Sequence, residues 1–405
     1  MADVSANPAR IILLGIPLVL IAWQLLPLRS QALRIPAALA AGGLLAAALV
    51  TFLPTGIISY VVSFAVMASI YAVLTLGLNV HWGYTGLFNI GVAAFFSVGA
   101  FTSALFTTSM PEGAFAAFTQ QWFGFNAPFL VGVLAAGVVS GLLAWLVGKP
   151  VLRLREDYLA MATIGVAELT RLIFQNERWL ANGPQPLRGI PQPLHCLVED
   201  PVCTWLPDPV QQLFGPLAPR DYVWVYLLVV ALILFVVYLV LQRVLRSPWG
   251  RVLRAVREDE VSAAMAGKDI EKFRMQAFIV GSFVMGIGGA LYAHYMVAID
   301  YSHFNPLYAT FLIWVMLMLG GSGNNRGAIL GAFLIWGVWT GTAFLIDQLR
   351  PALAAISSDM PARAPYLRFT LVALMLILIL LFRPAGLLGE EKYVSTEAAP
   401  DDSGA

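Results

Sequence analysis

The chain alternates long apolar runs with short polar loops. A membrane-crossing helix needs about 20 mainly apolar residues, because the hydrocarbon core is about 30 Å thick and an α-helix rises about 1.5 Å per residue. Five runs reach this length with almost no charge: Ile57–Val80, Ala127–Gly148, Tyr222–Leu241, Met275–Val297 and Gly327–Ile346. Six more are shorter or interrupted: Ile11–Pro27, Pro36–Leu53, Phe88–Phe106, Tyr158–Phe174, Pro306–Gly320 and Phe369–Phe382. The pattern predicts an all-α integral membrane protein, a polytopic bundle of about 9–11 transmembrane helices with Gly-broken segments.

The composition supports a membrane protein and excludes a soluble one. Charged residues make up 12% of the 405 residues and hydrophobic residues 59%, whereas soluble domains carry about 25% charged residues. The mean hydropathy is +0.79. A formal net charge of +1 gives no long-range field that would attract a polyanion, so we expect no nucleic-acid partner.

The apolar runs divide the chain into one membrane domain and two flanking parts. Ile11–Pro27 is long for a signal-peptide core, and no small-residue cleavage site follows it, so we expect an uncleaved anchor. We expect residues 1–54 to form N-terminal anchor spans, residues 55–390 the transmembrane domain, and residues 391–405 a polar cytoplasmic tail. The side of the membrane on which Met1 lies stays open.

Basic residues predict the orientation of the loops. Short cytoplasmic loops collect Lys and Arg. The loop Gln242–Arg274 holds eight of the 24 basic residues: Arg243, Arg246, Arg251, Arg254, Arg257, Lys268, Lys272 and Arg274. We therefore expect this loop on the cytoplasmic side and Gln175–Asp221 on the outer side.

The outer loop carries the two cysteines of the chain, Cys196 and Cys203. On the oxidising side of the membrane they form either a disulfide or two unpaired thiols, and both alternatives stay open. They lack the spacing and the histidine partners of a zinc site, so we expect no metal site.

The cytoplasmic loop contains a predicted short helix. Proline and glycine in Ser247–Gly250 oppose continuation of the preceding span. A new helix is predicted from Arg251 to Ala266, with an Arg254–Glu258 pair four residues apart and Gly267 as a left-handed C-cap. It is too short and too charged to cross a bilayer. We expect it along the membrane surface with its apolar side chains Val252, Val256 and Met265 against the bundle.

Two interpretations of this helix are open. Its basic residues are typical of a segment that binds anionic lipid head groups. Five acidic residues would be repelled by such a surface and favour a protein groove: Glu258, Asp259, Glu260, Asp269 and Glu271.

The order of residues in and around this loop resembles the LivM-type membrane subunits of branched-chain amino acid ABC importers. The similarity begins with Ser247–Arg251 and continues through Arg254-Ala255, Arg257-Glu258, Glu260, Ala263-Ala264, Gly267, Ala277-Phe278 and Gly288–Ala293. Further matching stretches are Gly83–Gly86 with Asn89, Gly91 and Phe95, Leu152–Arg155 with Thr163 and Glu168, Leu319–Gly323, and Phe382–Leu387. The resemblance extends from about Leu74 to Leu388.

The resemblance implies a permease of the bacterial inner membrane that has no catalytic residues and binds no cofactor. Its partners would be a LivH-like homologous permease subunit, two ATP-binding subunits and a periplasmic substrate-binding protein. ATP and Mg would bind the partners, since the chain has no G-x-x-x-x-G-K-[ST] loop. A coupling helix would contact the ATPase through Arg251, Arg254, Arg257, Glu258, Glu260, Ala263, Ala264 and Gly267.

The cargo implied by the resemblance is a branched-chain or other hydrophobic amino acid. The outer segment Ala181–Pro191 departs from the Thr-Gly-Gly pattern that is common in the family. Urea or a short amide therefore stays open as an alternative cargo.

Glycines interrupt two of the apolar runs, one around Gly86 and the other between Gly320 and Gly327. In lipid, a broken helix is tolerated where it is buried or lines a water-filled cavity, and a half-helix N-terminus suits a carboxylate. Close helix packing is an equally good explanation of the glycines. We predict a translocation path along Gly83, Gly86, Asn89, Gly91, Phe95, Thr163 and Glu168.

Some of these residues have structural alternatives. Asn89 could cap the broken helix, and Glu168 could form an ion pair with Arg171, three residues further on.

Two rival functions are weaker. Gly320–Gly323 has the form of an intramembrane serine-protease motif, but Ser322 and the nearest candidate base, His294, should lie at opposite faces. An ion-coupled transporter normally places carboxylates in the middle of its spans, whereas Asp300 and Asp347 fall at segment ends.

Overall fold

A computed structural model describes residues 8–26, 31–52, 55–112, 119–196, 222–357 and 363–390. The architecture is helical throughout these ranges, with three isolated β-bridges in the loops of the described part. The N-terminal half contains α1 (Pro8–Leu25), α2 (Gln31–Phe52), α3 (Thr55–Thr85), α4 (Val92–Thr107), α5 (Phe129–Val151), α6 (Glu156–Asn176) and α7 (Arg178–Ala181).

The C-terminal half of the described chain contains seven helices, two of which lie in the loop Gln242–Arg274. Its helices are α8 (Tyr222–Arg246), α9 (Pro248–Glu258), α10 (Glu260–Met265), α11 (Ile270–Met296), α12 (Leu312–Gly320), α13 (Asn325–Ile356) and α14 (Leu367–Phe382). A 3-10 turn at Tyr301–Phe304 and a π-helical turn at Leu307–Phe311 precede α12.

The five long apolar runs are confirmed as helices. Within the described ranges, five helices are long and apolar enough to cross a membrane: Ile57–Thr85, Phe129–Val151, Tyr222–Arg246, Ile270–Met296 and Asn325–Pro351. The six shorter predicted runs also coincide with helices. Several boundaries differ: α3 extends to Thr85, α13 extends to Ile356, and α4 begins at Val92 and not at Phe88. Residues 86–91 are non-helical, in agreement with the interruption predicted around Gly86.

The centre of the bundle is α11, which packs against α3, α4 and α5. Its most apolar stretch is 83% buried, whereas that of α5 is 39% buried and faces outward. A Cβ on Gly99 of α4 would lie 2.5 Å from the Cα of Gly286 in α11, and a Cβ on Gly77 of α3 would lie 2.7 Å from the carbonyl oxygen of Gly281. Glycines in these spans therefore permit close helix packing.

The two ends of the bundle carry different elements. The end that holds α9 and α10 also holds the C-terminus of α3, the turn between α12 and α13, and residues 383–390. At the opposite end, the Tyr222 hydroxyl donates to the carbonyl of Pro193 at 2.9 Å, and Leu187 pairs with Ile299. The loop that holds the basic cluster and the outer loop thus lie at opposite ends, as the charge distribution predicts.

Cys196 lies at this outer end and is disulfide-bonded. Cys203 lies outside the described residues, so the pairing of these two cysteines stays a prediction.

Candidate functional site

The segment Pro248–Met265, which was predicted to face the cytoplasm, is two helices and not the single helix predicted from Arg251 to Ala266. The break lies at Asp259, whose backbone is extended, with φ −154° and ψ 106°. Its carboxylate accepts the backbone N–H groups of Val261 at 2.9 Å and Ser262 at 3.2 Å, and so caps α10. The prediction was wrong because an Asp side chain can replace the helical hydrogen bonds at this point.

Two aliphatic side chains attach this segment to the bundle. Leu253 and Val256 of α9 are buried, and Val252 is half-buried. Met265 was expected against the bundle, but it is 83% exposed because the break redirects α10. Ala263 is the buried residue of α10.

The exposed side of α10 is apolar. Val261 is 63% exposed, and both Ala264 and Met265 face solvent. Val261 and Met265 thus form a small apolar tip, with the exposed Ser262 beside it.

Several predicted coupling residues hold the segment to the bundle. Arg257 donates to the carbonyl of Gly83 and, at 2.7 and 2.8 Å, to the two carboxylate oxygens of Glu390. Arg254 donates to the carbonyl of Leu245 at 3.1 Å. Glu260 forms an ion pair with Arg274 at the start of α11. The remaining predicted coupling residues with exposed positions are Arg251, Glu258, Ala264 and Gly267.

Gly83 and Gly86, both predicted in the path, lie beneath α9. Gly83 belongs to the last turn of α3, which is not broken there. Gly86 has φ +74°, and a Cβ on it would lie 3.1 Å from Cγ of Arg257. A left-handed backbone this close to another side chain favours glycine. Both glycines therefore contact α9. Their role in a translocation path stays a prediction.

The interruption between α3 and α4 spans residues 86–91. Two of its amides are satisfied by side chains, Ile90 N–H by Thr163 Oγ1 at 3.1 Å and Gly91 N–H by Asn89 Oδ1 at 2.8 Å. In the first turn of α4, Ala93 N–H donates to Thr310 Oγ1 at 3.2 Å. Asn89 thus closes a turn just before α4, whose N-cap residue is Gly91 and receives no side-chain cap, so the helix cap considered for Asn89 is not formed. These three amides are not free to bind a carboxylate.

Asn89 also joins three helices through a buried polar cluster. Its Nδ2 lies 3.0 Å from Nδ1 of His81, and Nε2 of His81 lies 2.9 Å from the carbonyl of Phe278. One neutral tautomer satisfies both contacts, with Nε2–H donating and Nδ1 accepting. Trp314 of α12 donates from Nε1 to the carbonyl of Asn89 at 3.0 Å. The sequence analysis did not include His81 or Trp314 among the site residues. For His81 a signal was available, because a histidine in an otherwise uncharged span is unusual.

An apolar cavity of about 420 Å³ adjoins this cluster. Trp82, Phe88 and Trp314 meet at its wall, with ring centroids 5.0 to 5.5 Å apart. The lining residues are Trp82, Phe88, Ile90, Ile164, Pro306, Thr310, Phe311, Trp314, Val315, Met318 and Leu376. These three rings form one aromatic cluster at the wall of the cavity.

A second cavity, of about 510 Å³, lies between α3, α11 and α13. Its wall is mainly apolar, and the hydroxyl-bearing residues among its lining are Tyr60, Ser63, Tyr71, Tyr292, Tyr295, Ser302, Tyr308 and Thr340. The π-helical turn Leu307–Phe311 separates the two cavities, since Tyr308 lines this one and Phe311 lines the apolar one. Such turns are frequent at functional sites.

The other predicted path residues have clear structural surroundings. Phe95 is buried and packs edge-to-face against Phe278, with centroids 5.4 Å apart. A Cβ on Gly91 would lie 2.5 Å from the carbonyl oxygen of Thr163. Glu168 accepts from Nε of Arg171 at 2.9 Å, which is the ion pair considered as its structural alternative.

The geometry does not support the protease alternative. His294 lies at the outer end, with Nδ1 2.7 Å from the carbonyl of Pro191 and Nε2 3.0 Å from Oγ of Ser103. Ser322 lies in the turn between α12 and α13 at the other end. Among the residues in the described ranges, no group of three or more His, Cys, Asp or Glu could hold a metal ion.

Known proteins match most of the chain. The family described as "Branched-chain amino acid transport system / permease component" matches residues 60–381. The high-affinity branched-chain amino acid transport system permease protein LivM of Salmonella typhimurium is 34% identical over 280 residues, which are 68% of this chain and 61% of that relative. The chain thus spans less than two thirds of that relative's length.

Two further relatives are matched over more of their length. The probable branched-chain amino acid transport permease protein LivM of Methanocaldococcus jannaschii is 27% identical over 80% of this chain and 92% of its own length. The guanosine ABC transporter permease protein NupQ of Bacillus subtilis is 26% identical over 72% of this chain and 83% of its own length. No solved structure matches this chain significantly.

Proposed function

We propose a transport function for this chain, which belongs to the family of branched-chain amino acid transport system permease components. In this proposal the chain is the membrane-spanning, non-enzymatic subunit of an ATP-driven importer in the bacterial inner membrane. Its companions are a LivH-like homologous permease, two ATP-binding subunits that carry ATP and Mg, and a periplasmic substrate-binding protein. The cargo is a branched-chain amino acid.

The observation that carries the proposal is the cytoplasmic segment α9–α10. It is too short and too charged to span a bilayer, and it is fastened to the ends of α3 and α11 by Arg257 and Glu260. Its free side presents the apolar tip of Val261 and Met265 to the cytosol. A segment held in this way can receive a push from a separate ATPase and pass it to the spans.

The resulting movement would alternate access to a path between the two cavities. The hydroxyl-lined cavity suits polar backbone groups of an amino acid, and the apolar cavity suits an aliphatic side chain. The constriction of Trp82, Phe88 and Trp314 would close the inner side of this path. Selection of the cargo would rest mainly on the substrate-binding protein.

A nucleoside is the second candidate cargo, because the Bacillus subtilis relative is named a guanosine permease. Urea or a short amide is a third, because the outer segment Ala181–Pro191 departs from the pattern of the LivM-type family.

Reconstitution tests the proposal directly. The chain is placed in proteoliposomes with its partner permease, the two ATP-binding subunits and the substrate-binding protein, with ATP on the ATPase side. Labelled leucine, guanosine and urea are offered separately. We expect concentrative leucine uptake that stops when ATP is replaced by a non-hydrolysable analogue. Uptake by the chain alone, or uptake driven by an ion gradient without ATP, would contradict the proposal.

A further inference from the structure

The residues that follow α14 fold back beneath the bundle and contact the turn between α12 and α13. We call Arg383–Glu390 the C-terminal segment. Leu387 N–H donates to the carbonyl of Leu319 at 2.9 Å, and Leu388 N–H donates to that of Gly320 at 3.0 Å. The side-chain amide of Asn324 donates to the carbonyls of Leu388 and Gly389 at 3.2 and 3.1 Å. The segment is thus tied by two hydrogen bonds to the last residues of α12 and by two more to Asn324 in the turn that follows.

The backbone contact between the segment and the turn is very close. Gly386 has φ +77°, and a Cβ on it would lie 2.6 Å from the backbone nitrogen of Gly321. A larger residue at this point would force the two backbones apart. The segment and the C-terminus of α12 should therefore move as one unit.

Glu390 connects this unit to α9. Its carboxylate accepts two hydrogen bonds from the Nη2 atom of Arg257, at 2.7 and 2.8 Å. The same guanidinium donates from Nη1 to the carbonyl of Gly83 at the end of α3. The Arg257 side chain is 20% exposed and that of Glu390 36%, so water screens the pair less than a fully exposed one. Arg257 thereby fixes α9 to two elements at once.

The far end of α12 connects to the broken helix. Trp314 lies less than two turns from Leu319 on this nine-residue helix and donates to the carbonyl of Asn89. It also belongs to the aromatic constriction, with its ring 5.0 Å from that of Phe88. A displacement of the C-terminus of α12 would therefore also move Trp314 and change the constriction.

We propose that Glu390 is a positioning residue that transmits movement of α9, through the C-terminal segment and α12, to the aromatic constriction. This inference rests on the proposed transport function. Charge-assisted hydrogen bonds from an Arg fork are stronger and more directional than neutral ones, so the Arg257–Glu390 contact can hold a defined geometry under load. A merely stabilising contact would affect the amount of folded protein but not the ratio of transport to ATP hydrolysis.

The test uses the complete importer in proteoliposomes and measures leucine uptake and ATP hydrolysis on the same preparation. For Glu390→Gln we expect hydrolysis to continue and the uptake per ATP hydrolysed to fall about tenfold. The carboxylate that accepts the short hydrogen bonds of Arg257 is lost, and the other acidic neighbour of Arg257, Glu258 at 3.8 Å, does not contact the C-terminal segment. Asn324→Ala, which loosens the same segment without touching Arg257, should lower this ratio in the same direction. Glu390→Asp, which keeps the charge, should restore part of it.

The matched control is Glu271→Gln. It removes an ion pair with Arg153 on the same face, in which both side chains are more than 70% exposed, and we expect no change of the ratio. Hydrogen exchange gives a second readout, since the amides of Leu387 and Leu388 should exchange faster in Glu390→Gln. A normal uptake-to-hydrolysis ratio in Glu390→Gln would overturn the inference, even if the variant were less stable. Failure of the wild-type importer to take up leucine would instead count against the proposed function.

Discussion

The side-chain amide of Asn89 lies 3.0 Å from Nδ1 of His81, and both residues are fully buried. The side-chain oxygen of Asn89 also accepts a hydrogen bond from the N–H of Gly91. The backbone carbonyl of Asn89 accepts a hydrogen bond from Nε1 of Trp314. One residue therefore holds the turn before α4, contacts a buried imidazole of α3 and anchors α12. Loss of such a residue leaves several buried polar groups without partners at once.

We expect Asn89→Leu to destabilise the chain by about 1–3 kcal/mol, because it leaves Nδ1 of His81 and the amide of Gly91 unpaired in an apolar environment. Intrinsic tryptophan fluorescence of the detergent-solubilised protein during thermal unfolding measures the change. The control is Asn176→Leu, since the Asn176 amide is exposed and donates only to its own helix at Leu172. Equal midpoints for the two variants would contradict the buried cluster.

Gly91 tests the contact between α4 and α6. A Cβ at this position would lie 2.5 Å from the carbonyl oxygen of Thr163, so Gly91→Ala should push the two helices apart. We expect a lower unfolding midpoint and reduced leucine uptake, and a complete block of uptake for Gly91→Leu with assembly preserved.

The control for Gly91 is Gly165→Ala in α6, the helix that Gly91 contacts through Thr163. No atom lies within 4 Å of a Cβ there. Alanine favours a helix over glycine by about 1 kcal/mol, so we expect this variant to be neutral or slightly more stable. Uptake that is normal in Gly91→Leu would contradict a role of this break in the path.

The spans and their ends were predictable because hydropathy and positive charge act over many residues. Tyr222–Leu241, for example, is apolar throughout, so the boundaries of α8 differ from the prediction only at its cytoplasmic end. The family was recognisable from the ordered glycines and charges of the cytoplasmic loop. These signals are local and collective, which is why they can be read from one sequence.

The contacts that couple distant elements were not predictable. Arg257 and Glu390 are 133 residues apart in the chain, and nothing in either local sequence indicates the other. The break at Asp259 was missed for a different reason, since an Asp within a charged helical stretch is compatible with both continuation and capping. Gly83 and Gly86 correctly indicated that the helix is interrupted near them. That Arg257 lies against both glycines is visible only in the fold.

Asp259 allows a prediction about pH. Hydrogen bonds from the hydroxyl and the amide of Ser262 hold the pKa of Asp259 below its usual value of 3.8. A lowered pKa means that the cap is fully formed above the usual value and is lost only as the pH falls through the lowered one. We therefore expect the amides of Val261 and Ser262 to keep their hydrogen-exchange protection from about pH 8 to pH 5.

Substitution of Asp259 separates the cap from the charge. Asp259→Ala should remove the protection of both amides and lower uptake per ATP, because α10 would no longer be held in its orientation. Asp259→Asn should keep the protection of the two amides and the normal uptake per ATP, since Asn caps helices as well as Asp does. Loss of function in Asp259→Asn would show that the charge itself, and not the cap, matters at this position.

Met265 tests whether the apolar tip of α10 is the docking surface. The side chain is 83% exposed and contacts no part of the core, so Met265→Asp should leave the fold and the unfolding midpoint unchanged. An added charge at the centre of an apolar contact should nevertheless weaken binding of the ATP-binding subunits, because the carboxylate must lose its water there.

Co-purification of the subunits and their stimulated ATP hydrolysis measure the effect. Met110→Asp is the control, since Met110 is 47% exposed at the opposite end of the bundle. If both variants retained the ATP-binding subunits equally, the docking surface would have to lie on the charged residues of α9, where Arg251 and Glu258 are exposed.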